Sequence, residues 1–199
     1  EAIFLREKIL SRFVGREVIA TYDNENRYYE HTLHSTHITD NRFEVKFVLA
    51  LFNSTLFKFY YQKTNSKGGD IFPQVRISSV ESLPIKQASK DVQFTFVEKV
   101  DKLLELNKSL HSRKSRLLNR INSNFSLEKM STKIKNFHSL DFKSFLSELS
   151  KSKVQLSLTE QDEWEDYFNN SKEEYNSIKS NIEKIEKKID QIVYKLYDL

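Results

Sequence analysis

The sequence pattern of the chain changes in one stretch, Phe43-Glu-Val-Lys-Phe-Val-Leu-Ala-Leu-Phe-Asn-Ser-Thr-Leu-Phe-Lys-Phe-Tyr-Tyr61. Its apolar residues recur at intervals of three and four, so the stretch predicts one α-helix with a broad buried side. Either Asp40 or Asn41 suits the N-cap of this helix. Sequence typical of β-strands lies mainly before it, and sequence typical of long helices follows.

Two β-favouring runs precede this helix, at residues 17–22 and 27–33, with the polar residues 23–26 between them. The short polar segment predicts a β-hairpin. After the helix, residues 62–70 are polar and include Gly68 and Gly69, which predicts a mobile loop.

Residues 72–77 then alternate like a strand, with Gln74 and Arg76 on one face. We therefore expect residues 1–88 to form a small mixed α/β domain.

The rest of the chain, residues 89–199, has no glycine or proline. Apolar residues there follow two seams at alternating intervals of three and four, one starting at Phe96 and one running from Tyr175 to Leu199. The seams predict a long antiparallel helical hairpin resembling a coiled coil, with a short helical insertion around residues 122–160 that contains one helix at residues 140–149. The fold class is thus α+β. Asn107 and Lys114 interrupt the first seam, either to set its register or to mark where the helix leaves its partner.

Composition excludes several classes of protein. The chain has 199 residues, no cysteine, three glycines and two prolines. Disulfide frameworks, thiol catalysis and cysteine-ligated zinc are absent, and neither a P-loop nor a dinucleotide fingerprint fits. No signal peptide or membrane-spanning run occurs, which favours a cytoplasmic protein with no membrane partner. The first residue is Glu1, so we expect a fragment of a longer polypeptide.

The net charge of +4 is unevenly distributed along the chain. Residues 1–90 and 91–150 are each net positive, whereas residues 151–199 are net negative. The basic three quarters of the chain is therefore the predicted nucleic-acid face.

Several short motifs occur together in one order: Leu49-Ala-Leu-Phe-Asn-Ser-Thr-Leu56, Phe72-Pro-Gln-Val-Arg-Ile77 and Leu83-Pro-Ile85. In this order they resemble the TaqI-like C-terminal specificity domain of adenine-N6 DNA methyltransferases. The segments Asp162-Glu-Trp-Glu-Asp-Tyr-Phe168 and Ile189-Asp-Gln-Ile-Val-Tyr-Lys-Leu-Tyr-Asp-Leu199 resemble the end of type IIG restriction–modification polypeptides. Asp198 stands where that family has glycine, a change that affects the C-cap of the last helix.

The resemblance implies a target-recognition domain that binds double-stranded DNA. In the family, this domain positions the target DNA so that catalytic domains of the same chain or complex can methylate adenine at N6. Where a nuclease domain precedes it, the domain also positions the DNA for cleavage. These residues alone are not expected to be an enzyme. S-adenosylmethionine and Mg²⁺ are expected only in the absent domains, and this fragment is expected to hold no cofactor and no metal.

DNA recognition needs cations for phosphates and fork-shaped or amide side chains for base edges. The predicted DNA-binding residues are Arg12, Arg16, Arg27, Tyr61, Lys63, Lys67, Gln74 and Arg76. Among them, Lys63 and Lys67 are assigned to phosphates, and Gln74 and Arg76 to the groove or its edge.

Two other chemical interpretations are weaker. His31, His34 and His37 are spaced by three, but a strand would send neighbours in this series to opposite faces, so ordinary histidines are favoured over a metal site. Asp23 with the later Glu44-Val-Lys46 resembles a nuclease motif, yet the latter lies at a helix start and not on a strand.

Two alternative functions remain open at the level of sequence. One is a half-unit of a type I restriction specificity subunit, in which the long helices would dock methyltransferase and nuclease subunits. The other is a coiled-coil protein-interaction module without DNA binding.

Overall fold

Three short strands form an antiparallel sheet near the start of the chain. They are β1 (Lys8–Arg12), β2 (Ala20–Asp23) and β3 (Leu33–Thr36), in a computed structural model that describes residues 5–65 and 73–199. β1 lies in the centre, with β2 and β3 on its two sides. The predicted hairpin is therefore wrong, because β2 and β3 each pair with β1 and not with one another.

The central strand β1 has no alternating pattern because its first four residues are all buried. One of them is Lys8, whose Nζ lies 2.6 Å from a carboxylate oxygen of Asp23 on β2, with both side chains fully buried. These two residues face each other in the strand register. A strand buried on both faces does not alternate between apolar and polar residues, which is the pattern that marks a half-buried strand.

The predicted single helix at residues 43–61 is two helices, α1 (Val45–Asn53) and α2 (Thr55–Asn65). Ser54 between them has extended backbone, and its hydroxyl accepts a hydrogen bond from the backbone N–H of Phe57. The predicted N-cap is also wrong. Glu44 takes that position without a side-chain cap bond, while Asp40 accepts from the backbone N–H of Arg42.

The predicted strand at residues 72–77 is reduced to one antiparallel bridge between Val14 and Gln74. The next residues form a short helix, α3 (Ile77–Glu81). The predicted loop at residues 62–70 begins later than expected, because α2 continues to Asn65. Its two glycines lie outside the described residues.

Two long helices dominate the rest of the chain, α4 (Lys90–Phe125) and α7 (Leu158–Leu196). Between them lie α5 (Thr132–Lys135), a 3₁₀ turn and α6 (Phe142–Lys151). α6 corresponds to the helix predicted at residues 140–149, whereas α5 was not predicted. The fold class is α+β, as predicted.

The chain divides into two compact units. Unit 1 comprises Glu1–Lys102 and Ile185–Leu199, and unit 2 comprises Leu103–Lys184. The beginning of α4 and the end of α7 thus belong to the same unit, so the two helices run in opposite directions. Within the described ranges 5–65 and 73–199, no helix is long and apolar enough to cross a membrane.

The core of unit 1 is built on α1, whose residues from Phe47 to Phe52 are all buried. The ring of Phe47 lies 5.2 Å from that of Phe96 on α4. The end of α7 contributes Asp190, whose carboxylate accepts hydrogen bonds from the backbone N–H and the hydroxyl of Thr55 at 2.8 and 2.6 Å. A residue of the last helix therefore caps the start of α2.

Tyr197 provides a second contact from the end of the chain within unit 1. Its hydroxyl donates to the carbonyl of Pro84 at 2.6 Å and accepts from the N–H of Lys86 at 3.0 Å. Its ring lies 5.8 Å from the ring of Phe57. Asp198 follows with φ of 59°, which is the left-handed conformation that favours glycine at this position.

Unit 2 has its own aromatic core. Leu117 and Ile121 of α4 and Phe168 and Tyr175 of α7 are buried in it, in agreement with the predicted seams. The shorter elements contribute further buried residues, which are Leu127, Ile134, Phe137, Phe142, Phe145 and Leu149. Ser131 and Asp141 cap α5 and α6 through their side-chain oxygens.

Candidate nucleic-acid interface

A two-stranded ribbon next to the sheet brings together four of the eight predicted site residues. Residues 13–15 and 73–75 are joined by backbone hydrogen bonds from Gly15 N–H to Pro73 O at 2.9 Å and from Val75 N–H to Phe13 O at 2.7 Å. Successive side chains of an extended segment point to opposite sides, so Val75 is buried whereas its neighbours Gln74 and Arg76 are exposed. The exposed ribbon face, as we name it, consists of Arg12, Val14, Arg16, Gln74 and Arg76.

Within the described part of the chain, the arginines of the ribbon face differ from cations that are engaged by acidic side chains. Among the residues that the structure describes, no ion-pair partner lies within 4.0 Å of Arg12, Arg16 or Arg76. Several exposed or half-buried cations of unit 1 do have acidic partners, which are Arg27 with Asp23 and Glu25, Arg42 with Asp40, Lys46 with Asp101, Lys86 with Asp198, and Lys90 with Glu44. The ribbon face therefore offers guanidinium groups that are available to an anionic ligand.

Tyr61 supports this surface from below. It is only 3% exposed, and its hydroxyl accepts a hydrogen bond from the backbone N–H of Arg76 at 3.2 Å. A ring nitrogen of His34 donates to the carbonyl of Val75 at 2.9 Å. These two hydrogen bonds hold the backbone at Val75 and Arg76. Tyr61 therefore positions Arg76, a candidate DNA contact, and does not itself reach the surface.

The remaining predicted residues lie elsewhere. Lys63 is exposed on the last turn of α2, with its Nζ 5.6 Å from the centre of the Phe59 ring. Arg27 is held by Asp23 and Glu25, and is therefore less available to phosphate than the ribbon arginines. Lys67 lies outside the described residues.

A cleft of about 220 Å³ lies behind the ribbon. It is lined by Ser11, His34, Ser35, Thr36, His37, Phe52, Ile77, Val80 and Glu81. The Ser11 hydroxyl and His37 Nε2 are buried there without a hydrogen-bond partner among the described residues. Burial, with Lys8 and Arg6 nearby, lowers the pKa of His37. The cleft thus presents histidine, hydroxyl and carboxylate groups beside the apolar side chains of Phe52, Ile77 and Val80.

The two weaker chemical interpretations find no support in the part of the chain that is described. No group of three or more acidic or histidine side chains there has the arrangement of a metal site. The residues of the nuclease-like motif also have separate partners, since Asp23 pairs with Lys8, Glu44 with Lys90 and Lys46 with Asp101.

Val14 is the member of the interface that sequence reasoning missed. It is 47% exposed between two arginines, at the centre of the ribbon face. The alternation in Arg12-Phe-Val-Gly-Arg16 was a signal that could have found it, because an extended segment places its first, third and fifth residues on one side. What the sequence did not reveal is that this segment pairs with residues 73–75.

Comparison with known families identifies two domain families along the chain. A family model described as the TaqI-like C-terminal specificity domain matches residues 1–85. The match confirms the resemblance of the N-terminal motifs to the TaqI-like C-terminal specificity domain, a class of domain for DNA sequence recognition in restriction–modification enzymes. A second model, described as a domain of unknown function (DUF8810), matches residues 89–193. It covers more than half of the chain, and the chain belongs to this family. No curated protein and no solved structure matches significantly.

Proposed function

We propose that this chain is the sequence-specific double-stranded DNA recognition module of a restriction–modification enzyme of the type IIG kind. Its role is to hold the duplex so that a catalytic domain of the same chain or complex can methylate the target adenine at N6. The observation that carries the proposal is the ribbon face, where one glutamine and three arginines that have no acidic partner among residues 5–65 and 73–199 share an exposed surface of a specificity domain.

The side chains of the ribbon face suit the major groove in their chemistry, because the base edges of that groove are read by forked or amide side chains. Arginine presents two parallel donors to guanine, and glutamine can both donate to and accept from adenine. We assign base reading to Gln74 and Arg76, whose segment is anchored by Tyr61 and His34.

Phosphate contacts are assigned to residues around the ribbon. Arg12 and Arg16 lie on the facing segment, and Lys63 lies on the last turn of α2. Such contacts set the register and orientation of the duplex without reading its sequence. S-adenosylmethionine and Mg²⁺ would be bound by the catalytic domains, so the chemistry of methylation and any cleavage is assigned to those domains.

Selection of this chain against a random duplex pool, followed by sequencing, tests the proposal. We expect an enriched motif for the wild-type chain. Arg76→Gln should relax the preference at one position of that motif, with a loss of about 1–3 kcal/mol of discrimination. Arg12→Gln with Arg16→Gln should instead weaken binding to all duplexes alike.

Arg42→Gln is the matched control, because Arg42 is equally exposed but is bound to Asp40. It should leave both the motif and the affinity unchanged. Absence of an enriched motif would refute sequence-specific recognition by this chain. An unchanged motif in Arg76→Gln would refute the assignment of base reading to the ribbon.

A further inference from the structure

Helix α4 carries a cationic stretch that the recognition surface does not use. Between Glu105 and Glu128 the sequence contains no acidic residue. All its charged residues there are basic, and they are Lys108, Arg113, Lys114, Arg116 and Arg120. The stretch lies in unit 2, within the segment matched by the family of unknown function.

Helical spacing places several of these residues on one side of α4. Lys108, Arg116 and Arg120 are separated by eight and four residues, and all three are exposed. Leu117 and Ile121 are buried in the core of unit 2 on the other side of the helix. We call the exposed side the α4 face, and its members are Lys108, Ser112, Arg116, Asn119, Arg120 and Ser123. From residue 108 to residue 120 it extends about 18 Å along the helix.

The cations of the α4 face are free of acidic partners in the described part of the chain. No acidic group there lies within 4.0 Å of Lys108, Arg116 or Arg120. Arg113, at the edge of the face, is different, because its guanidinium lies 2.7 Å from the carboxylate of Glu174 on α7. The packing of α4 against α7 thus uses Arg113 and leaves the other three charges to solvent.

We propose that the α4 face is a second DNA contact, made to phosphates and independent of sequence. Lysine, arginine, serine and asparagine side chains are donors to phosphate oxygens. An acidic protein partner is less suited, because the exposed side of this stretch has no large apolar residue of the kind that anchors protein interfaces. The proposal rests on the proposed function, since it assumes that this chain binds DNA.

The test is the salt dependence of DNA binding by the full chain. The variant Lys108→Gln/Arg116→Gln/Arg120→Gln removes three charges from exposed positions of the α4 face. Each phosphate contact contributes about 0.9 to the slope of log K against log salt, so we expect the slope to fall by about 2–3 on every duplex. The enriched motif should not change, because no base contact is removed.

The variant Lys143→Gln/Lys153→Gln/Lys179→Gln is the control, because it removes three exposed charges from other segments of unit 2. It should keep the wild-type slope. An equal fall in the control would overturn the proposal in favour of a general effect of net charge. A wild-type slope in the α4 variant would also overturn it, and loss of binding to poly-L-glutamate in that same variant would assign the face to an acidic protein.

The two proposals fail in distinguishable ways. If the wild-type chain binds no duplex even at low salt, both are refuted. If an enriched motif is found and depends on Arg76 while the α4 variant keeps the wild-type slope, the proposed function stands and the second contact alone is refuted.

Discussion

At the scale of single residues, the sheet depends on a buried ion pair. Among the described residues, Lys8 and Asp23 form the ion pair in which both side chains are fully buried. Burial alone would raise the pKa of Asp23, but hydrogen bonds from Lys8 and from the N–H groups of Glu25 and Arg27 outweigh it and lower the pKa. Asp23 is therefore a charged centre around which β1, β2 and the following turn are arranged.

We predict that Asp23→Asn strongly destabilises the protein. It removes the carboxylate from the buried Lys8–Asp23 ion pair, and breaking a buried pair by removing one partner costs about 3–5 kcal/mol. Urea denaturation followed by circular dichroism measures the loss. Asp40→Asn is the control, since Asp40 pairs with Arg42 at the surface, and little change is expected there. A small effect of Asp23→Asn would contradict the importance of this pair.

At the scale of elements, the start of α2 is capped by the adjacent Ser54 and also by a residue far away in the sequence. Asp190 of α7 and Thr55 of α2 are 135 positions apart. The carboxylate satisfies a backbone N–H that a helix N-terminus would otherwise leave without a partner. α2 carries both Tyr61, which anchors Arg76, and Lys63, so this cap supports the recognition surface indirectly.

We predict that Asp190→Ala loosens the start of α2, at a cost of about 1 kcal/mol. Hydrogen exchange should become faster at the amides of the first turn of α2 than elsewhere in unit 1. Asp162→Ala, an exposed change at the other end of the same helix, is the control and should leave this exchange unaltered. Uniform acceleration across unit 1 would argue against a local capping role.

The same contacts show how far the sequence could predict the fold. The long helices were predictable because residues such as Leu117, Ile121, Phe168 and Tyr175 repeat at helical spacing within each segment. The break at Ser54 and the pairing of residues 13–15 with 73–75 were not, because their causes lie in distant parts of the chain.

For the candidate site, too, some features were predictable from the sequence and others were not. Arg12, Arg16, Gln74 and Arg76 were predictable from residue type, and the structure brings them onto one surface. The buried position of Tyr61 and the engagement of Arg27 by Asp23 depend on the packed structure.

At the scale of the whole molecule, each compact unit contains one histidine with a lowered pKa. Burial lowers the pKa of His37 in unit 1, and Lys8 and Arg6 add to the effect. Burial likewise lowers the pKa of His138 in unit 2, where Lys179 and Lys114 contribute. Since the ordinary value is 6.5, the unfolded chain binds these protons more readily than the folded protein does, and acid favours unfolding.

We predict a stability that is constant between about pH 7.5 and about pH 9 and falls in two stages as the pH is lowered from there. The first stage, below the ordinary histidine pKa of 6.5, reflects His37 and His138. The second, below the ordinary carboxyl range, reflects Asp23 and other carboxyls with lowered pKa values, which are Asp40, Asp141, Glu148 and Glu160.

Urea midpoints measured across this pH range test the prediction. His37→Gln and His138→Gln should each reduce the first stage and leave the second in place. A double variant that still shows the full first stage would contradict the assignment to these histidines.

The contribution of Ile185–Leu199 to unit 1 has a consequence for synthesis. The ribosome produces the ribbon arginines early, but Asp190 and Tyr197, which hold α2 and the segment around Pro84, emerge only after all of unit 2 has been made. A nascent chain that stalls within α7 would expose Arg12, Arg16 and Arg76 before Asp190 and Tyr197 can form their contacts with the rest of unit 1. Translation through the end of α7 is thus a condition for a fully supported ribbon face, so the proposed reading of DNA would begin only after unit 2 has been made.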